Sequence, residues 1–103
     1  MNLAKSVTQA GQLIRIKMDP KLSDEYCGIL DTETHTIHLN PKHCKDEESS
    51  YSTVYHELVH HALHITGISY LLPAGTEETV VRMIENILLP SILRLDRKRH
   101  EAK

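Results

Sequence analysis

The spacing of apolar residues changes once along this 103-residue chain, at about residue 46. Before that point, short segments alternate apolar and polar residues, and after it apolar residues recur every three or four positions. A period of two is typical of a half-buried strand, and a period near 3.6 is typical of an amphipathic helix. The chain is therefore predicted to be an α+β protein, with a short antiparallel β-sheet followed by helices.

Three segments of the first half have strand character. Residues 13–17 (LIRIK) alternate at period two and end at Asp19-Pro20. Residues 28–30 and 36–39 form two further short strands, separated by turn-forming residues, and this arrangement predicts a hairpin. Asn40-Pro41 is expected to stop the second strand, because proline cannot donate to a ladder.

The second half is predicted to form helices. A long helix begins near Asp46 and is stopped by Gly67. Its apolar residues recur at helical spacing and are expected to face the core: Tyr51, Val54, Tyr55, Leu58, Ala62 and Ile65. A second helix is expected to begin with Thr76 as its N-cap, with an apolar stripe of Val80, Val81, Ile84, Ile87 and Leu88. Pro90 should kink or break it, leaving a last helical piece near 91–99.

Composition and size restrict the class of protein. With 40% hydrophobic and 25% charged residues, residues 1–103 are expected to form a single globular domain. A net charge of −2 argues against nonspecific nucleic-acid binding, and the basic residues after position 92 are interpreted as a solvated helix end. No apolar run approaches the roughly 20 residues that cross a bilayer, and no signal-peptide core is present, so a cytoplasmic protein without membrane contact is expected.

The cysteines do not indicate a disulfide or metal motif, whereas the number of histidines is unusual. Cys27 and Cys44 have no C-x-x-C spacing, so free thiols are expected rather than a disulfide framework. Histidine is unusually frequent, with eight residues, of which five lie from His43 to His64.

The sequence HELVH at residues 56–60 has the H-E-x-x-H pattern and lies within the predicted long helix. Residues four apart share one helical face, so His56 and His60 can bind one ion, with Glu57 beside it. This geometry is typical of a zinc hydrolase in which the glutamate takes a proton from water. A helical wheel places the three residues off the apolar face, where they either line a cleft or form a solvated polar face.

Catalytic zinc usually has a third protein ligand. His64 lies roughly 12 Å along the helix from His56, too far to share an ion, and is expected at a solvated or cleft-rim position. His61 is expected at the edge of the core. Glu78 is the preferred third ligand, with Glu77 as the alternative. A third acidic residue, Glu85, is either an outer partner of the site or a solvated residue.

The helix with HELVH, a turn, and a second helix opening with EETVV resemble the gluzincin zinc peptidases, in particular the minigluzincins and the phage-type zinc metallopeptidases. Gly28-Ile29-Leu30-Asp31 and Ile37-His38-Leu39 match the strand pair that precedes the helix in these proteins. The resemblance implies one zinc ion per chain, held by His56, His60 and a glutamate of the second helix, with Glu57 as the general base. It also implies that the strand at 36–39 is the sheet edge that a peptide substrate joins. Larger gluzincins steady the oxyanion with a tyrosine or histidine; Tyr70 and His100 follow the motif here, and neither is assigned that role.

The favoured function is therefore a zinc metallopeptidase with a peptide or protein substrate, and whether it is fully active, weakly active or latent is left open. The alternative is a noncatalytic interaction module in which zinc holds two helices together with Cys44 or His43 as a further ligand. A metal-free toxin, antitoxin or repressor partner is the third hypothesis. The oligomeric state is left open.

Overall fold

A computed structural model describes residues 3–101 and confirms the α+β class. Its four strands form one sheet in the order β1-β2-β4-β3. The strands are β1 (Ser6–Gln9), β2 (Gln12–Met18), β3 (Gly28–Asp31) and β4 (Thr36–Leu39). The predicted hairpin of β3 and β4 is confirmed, whereas β1 was not predicted. It pairs with β2 through a tight turn at Ala10 and Gly11, whose φ angles of 50° and 79° suit the twist of a two-residue hairpin.

The prediction of a purely antiparallel sheet is wrong, because β2 runs parallel to β4. Each sequence-local pair, β1 with β2 and β3 with β4, is antiparallel. The connection from β2 to β3 therefore crosses the position that β4 occupies. As a result, β3 lies at the edge of the sheet and β4 lies between β2 and β3. Asn40 holds this connection in place: its fully buried side-chain amide donates to the carbonyl oxygens of Ser23 at 3.2 Å and Tyr26 at 2.9 Å. Alternation alone does not reveal which strands pair.

Helix α1 (Glu47–Ile65) packs on one face of the sheet and buries a core of aliphatic residues and one cysteine. Its start is a capping box, in which Asp46 accepts from the Ser49 amide at 2.8 Å and Ser49 accepts from the Asp46 amide at 3.4 Å. Gly67, with φ 79°, follows its end as predicted. The core comprises Ile14, Ile16, Ile37, Leu39, Cys44 and Val54.

The predicted buried face of α1 is confirmed at Val54, which is buried, and at Leu58, which packs against the core, but the centre of the buried face lies about one residue, roughly 100°, from the predicted centre. The buried residues of α1 are Ser50, Val54, Glu57 and His61. Ile65, expected in the core, is 40% exposed. Polar residues occupy this face because they find partners there: Ser50 donates to the Asp46 carbonyl oxygen at 2.7 Å, and His61 Nδ1 lies 2.6 Å from Gln9 Oε1. His61 is thus fully buried rather than at the edge of the core.

A single helical run follows a 3-10 turn (Ile68–Leu71) and consists of α2 (Thr76–Met83), a π-helical segment (Ile84–Leu88) and α3 (Leu89–Glu101). Gly75, with φ 84°, is the N-cap of α2, so the prediction of Thr76 was wrong by one residue. Pro90 does not break the run. Before it, the Leu89 amide bonds to the Ile84 carbonyl oxygen five residues earlier, and this wider turn accommodates the proline ring.

Of the predicted apolar stripe, only Val81 is buried. Within residues 3–101, none of the helices combines the length and apolar character that crossing a bilayer requires.

Candidate metal centre

The two motif histidines and one glutamate of α2 converge in the cleft between α1 and α2. His56 Nε2 lies 3.0 Å from Glu78 Oε1, and His60 Nε2 lies 3.0 Å from Glu78 Oε2. One ligand atom from each of the three residues falls within 4.8 Å of the others, close enough to hold one metal ion. Spacing of four residues on α1 places the imidazoles a turn apart, and the start of α2 supplies the carboxylate.

The far side of each imidazole is also held by a carboxylate. His56 Nδ1 lies 2.5 Å from Glu85 Oε2, and His60 Nδ1 lies 2.6 Å from Glu77 Oε2. Of the two roles considered for Glu85, the structure therefore shows that of a partner behind a histidine ring. Glu77, the alternative third ligand, likewise contacts Nδ1 of His60 and does not face the two Nε2 atoms. Metal-binding histidines usually donate their second ring N–H to such a carboxylate, which fixes the ring and its tautomer.

Hydrogen-bonding capacity shows that these rings fit a cation. A carboxylate only accepts, so protonated Nδ1 atoms donate to Glu85 and Glu77. In neutral rings the Nε2 atoms then present lone pairs toward Glu78, which is itself an anion. A cation shared by both Nε2 atoms and Glu78 would satisfy all three groups at once. Two imidazoles and one carboxylate are a donor set typical of catalytic zinc.

Hydroxyl groups steady the two outer carboxylates. Ser52 on α1 donates to Glu85 Oε1 at 3.2 Å, and Ser69 of the 3-10 turn donates to Glu77 Oε1. The hydrogen bonds from Ser69 and then from His60 lower the pKa of Glu77. Burial by itself would raise the pKa of Glu78, but His56 and His60 outweigh it, and the net pKa is lowered. The carboxyl groups of Glu77 and Glu78 are therefore favoured in their charged form.

Glu57 lies in a different environment from the other acids. It is only 9% exposed, on the buried side of α1, and not on the solvated face that the helical wheel left open. Burial raises the pKa of its carboxyl group, against the smaller opposing effects of His60 and His56. The backbone N–H of Leu30 on β3 bonds to it and is the weakest of these influences. A carboxylate with a raised pKa is suited to accept and return a proton near neutral pH.

The cleft beside the three residues has a volume of about 920 Å³ and is walled on one side by β3. The prediction that residues 36–39 form the sheet edge is wrong, because β4 lies between β2 and β3. The edge is β3. The Asn40 amide donates to the Cys27 carbonyl oxygen at 2.9 Å, so Cys27 faces β4, and the alternation of a strand turns the backbone of Gly28 and Leu30 outward.

The remaining predicted residues lie apart from the three ligand atoms. His64 lines the cleft, with its ring centroid 5.9 Å from that of Tyr70. Tyr70 is 77% exposed, and His100 lies on α3 beside Asp96, so neither lines the cleft.

The two residues that the alternative hypothesis needs are engaged elsewhere. The Cys44 thiol is buried against the Cys27 carbonyl oxygen and the Thr53 hydroxyl, both at 3.6 Å. His43 Nε2 lies 2.6 Å from the Asp24 carbonyl oxygen.

Sequence reasoning missed the hydroxyl partners Ser52 and Ser69 and the orienting role of Glu77. For Glu85 the sequence does contain a signal: it lies seven residues, or two helical turns, after Glu78, and this spacing places both glutamates on one face of a helix. Comparisons of the chain with protein-family models, with curated proteins and with solved structures gave no match. The site is therefore interpreted from its own geometry.

Proposed function

We propose that this protein is a zinc-dependent metallopeptidase resembling the small gluzincins. One observation carries the proposal: His56 and His60 each have Nδ1 on a carboxylate and Nε2 turned toward Glu78. In this arrangement both rings are oriented before an ion arrives. Among divalent ions, zinc suits two imidazoles and a carboxylate, and three protein ligands leave room for a water molecule.

The ligands would be His56, His60 and Glu78, with one zinc ion per chain. Zinc in such a site supplies Lewis acidity toward a carbonyl oxygen and lowers the pKa of a bound water. Glu57 accepts the proton of the attacking water and then passes it to the leaving amine. Its burial supports this role, because a carboxyl with a raised pKa can both take up and release a proton.

The substrate is proposed to be an extended peptide that adds a strand to β3. The outward backbone groups of Gly28 and the outward carbonyl oxygen of Leu30 lie along the cleft and can bond to a peptide main chain, while the Leu30 N–H bonds to Glu57. Gly28 also keeps β3 close to α1: a Cβ atom there would lie 2.6 Å from Thr53 Cγ2. The scissile bond of a peptide held on this edge would then lie beside Glu57, which Leu30 contacts.

The decisive experiment compares wild type with Glu57→Gln in two measurements. The first is the zinc content of each protein, and the second is the hydrolysis of a mixed peptide library, monitored by mass spectrometry. We expect one zinc per chain in both proteins, and turnover lower by about 100-fold or more in the variant. Glu33→Gln, on an exposed loop, is the matched control and should behave as wild type. Equal turnover in Glu57→Gln would refute the mechanism, and absence of zinc from the wild type at neutral pH would refute the site.

The second candidate is a noncatalytic module in which zinc joins α1 to α2. Its support is that the three ligands come from two helices. It ranks second because a closed structural site needs a fourth protein ligand, and among residues 3–101 the group that can share an ion has three members and no cysteine. Zinc binding without hydrolysis of any peptide in the library would favour this candidate.

A further inference from the structure

One strongly basic side chain borders the cleft of the candidate metal centre. Among residues 3–101, Arg82 of α2 is the only lysine or arginine that lines this cleft, whereas five glutamates do. Its Nε lies 3.4 Å from Glu78 Oε1, the same oxygen atom that lies 3.0 Å from His56 Nε2. The guanidinium group is therefore beside the place where the two histidines and Glu78 converge.

The contact with Glu78 leaves Arg82 able to bind a second group. The separation of 3.4 Å is long for a hydrogen bond, and the Arg82 side chain is 70% exposed. Exposed ion pairs between residues four apart on a helix contribute only about 0.3 to 0.5 kcal/mol. Because the contact is made through Nε, the two terminal nitrogens of the planar guanidinium group can donate to another oxygen atom.

Hydrolysis of a peptide bond develops negative charge on the carbonyl oxygen of the scissile bond. The attacking water forms a bond to the carbonyl carbon, the π electron pair of the C=O bond moves to the oxygen, and Glu57 receives the water proton. The electron pair returns as the C–N bond breaks, and the leaving amine takes the proton from Glu57. A hydrogen-bond donor held at that oxygen accelerates the reaction, because it binds the oxygen more strongly once it is charged.

We propose that Arg82 donates hydrogen bonds to this oxygen and is a further catalytic residue of the peptidase. The inference rests on the proposed function and names the group that stabilises the developing charge, a role for which Tyr70 and His100 do not line the cleft. Its support is that Arg82 borders the cleft, that its guanidinium group contacts an oxygen of the third ligand Glu78, and that a helix holds it there.

His64 is the other residue of the cleft that could donate to a charged oxygen. Its ring centroid lies 5.9 Å from that of Tyr70, and its charge lowers the pKa of Glu77, the carboxylate behind a histidine ring. Arg82 instead contacts Glu78, the carboxylate that faces both Nε2 atoms. The position of Arg82 therefore suits this role better than that of His64.

The test measures binding of a transition-state analogue without requiring turnover. A peptide phosphonate, whose tetrahedral phosphoryl group resembles the transition state, is titrated calorimetrically into the zinc-loaded protein. Arg82→Gln should weaken its binding by about 100-fold, a loss typical of one such donor. Arg82→Lys, which keeps the charge, should lose less. Arg94→Gln, at an exposed position of α3, is the matched control and should bind as the wild type does.

Binding of the uncleaved substrate is measured separately, in the Glu57→Gln background. Adding Arg82→Gln should change the affinity for a peptide with an amidated C-terminus by less than about threefold, because the carbonyl oxygen is not yet charged. With Glu57 intact, Arg82→Gln should lower kcat for the same peptide by about 100-fold and leave KM nearly unchanged. Zinc content and circular dichroism verify that each variant is loaded and folded.

Equal affinity of wild type and Arg82→Gln for the phosphonate would overturn the inference. So would equal losses for the phosphonate and the uncleaved peptide, because Arg82 would then hold the substrate rather than the developing charge. A loss confined to peptides with a free C-terminal carboxylate would overturn it by assigning Arg82 to that carboxylate. Loss of turnover in Glu57→Gln supports the peptidase whichever result Arg82→Gln gives, so the inference can fail while the proposed function stands.

Discussion

Glu85 Oε2 lies 2.5 Å from His56 Nδ1, although 29 residues separate the two in sequence. The contact fixes which nitrogen of His56 is turned toward Glu78. Glu77, at the start of α2, does the same for His60. The candidate metal centre therefore contains acidic residues in two positions: Glu78 faces the Nε2 atoms, and Glu77 and Glu85 contact the Nδ1 atoms behind the rings.

The outer acids are expected to govern metal affinity. Glu85→Gln and Glu77→Gln should each weaken zinc binding by about 10-fold to 100-fold, because the ring behind the ligand atom loses its charged partner. Competition with a chromophoric chelator measures this. Glu78→Ala should weaken binding further than either, since it removes a ligand. If all three variants bind zinc as tightly as Glu33→Gln, the ion is held elsewhere.

The composition of the zinc shell gives a second prediction. X-ray absorption at the zinc edge should fit nitrogen and oxygen neighbours alone, without a sulfur neighbour at about 2.3 Å. The reason is that the Cys44 thiol is buried against Cys27 and Thr53. Alkylation of the folded protein, in which Cys27 is exposed and Cys44 is buried, should likewise release no zinc. A sulfur neighbour, or zinc lost on alkylation, would contradict the His, His, Glu centre.

Zinc is expected to stabilise the fold. At a free zinc concentration of about 100 times Kd, mass action adds about 2.7 kcal/mol, or roughly 10 to 20 °C in Tm for a domain of this size. Calorimetry with and without a chelator measures the change. Glu57→Gln should keep the full shift, whereas Glu78→Ala should lose most of it. An equal shift in the two variants would contradict the assigned ligands.

Gly28 controls the approach of β3 to α1. In Gly28→Ala the new Cβ would lie 2.6 Å from Thr53 Cγ2 and 3.0 Å from the His38 carbonyl oxygen, so we expect a loss of about 1 to 3 kcal/mol in the free energy of unfolding. Thr53→Ser removes Cγ2 and keeps the hydroxyl that donates to the Ser49 carbonyl oxygen. The double variant should recover at least about 0.5 kcal/mol of the loss. Strictly additive losses in urea unfolding would show that the two residues do not meet.

Asp46, at the start of α1, is expected to make the stability of the fold depend on pH. Hydrogen bonds from the Ser49 side chain and backbone lower the pKa of the Asp46 carboxyl in the folded state. A carboxyl with a depressed folded pKa stabilises the protein above its unfolded pKa, and this contribution disappears as the pH falls through the folded pKa. Asp46→Asn keeps the cap but not the charge, so its urea midpoint should fall less between about pH 5 and pH 2. Parallel pH profiles of the two proteins would refute this role.

Much of the fold follows from local patterns. The hairpin of β3 and β4, the long helix ending before Gly67 and the helices after it were predicted, because alternation, caps and helical spacing act over a few residues. The sheet was predicted less well. Pairing of β2 with β4 depends on a connection held by Asn40, whose partners lie 14 and 17 residues away.

The sequence by itself determined that His56 and His60 share one helical face, since a spacing of four residues fixes that relation in any α-helix. Only the tertiary structure decided that Glu78 faces both Nε2 atoms while Glu77 and Glu85 hold the rings from behind. The same is true of Glu57, whose burial arises because α1 lies on the sheet through Ser50, Val54 and His61. These outcomes depend on how far each helix is rotated about its axis, and packing between distant segments sets that rotation.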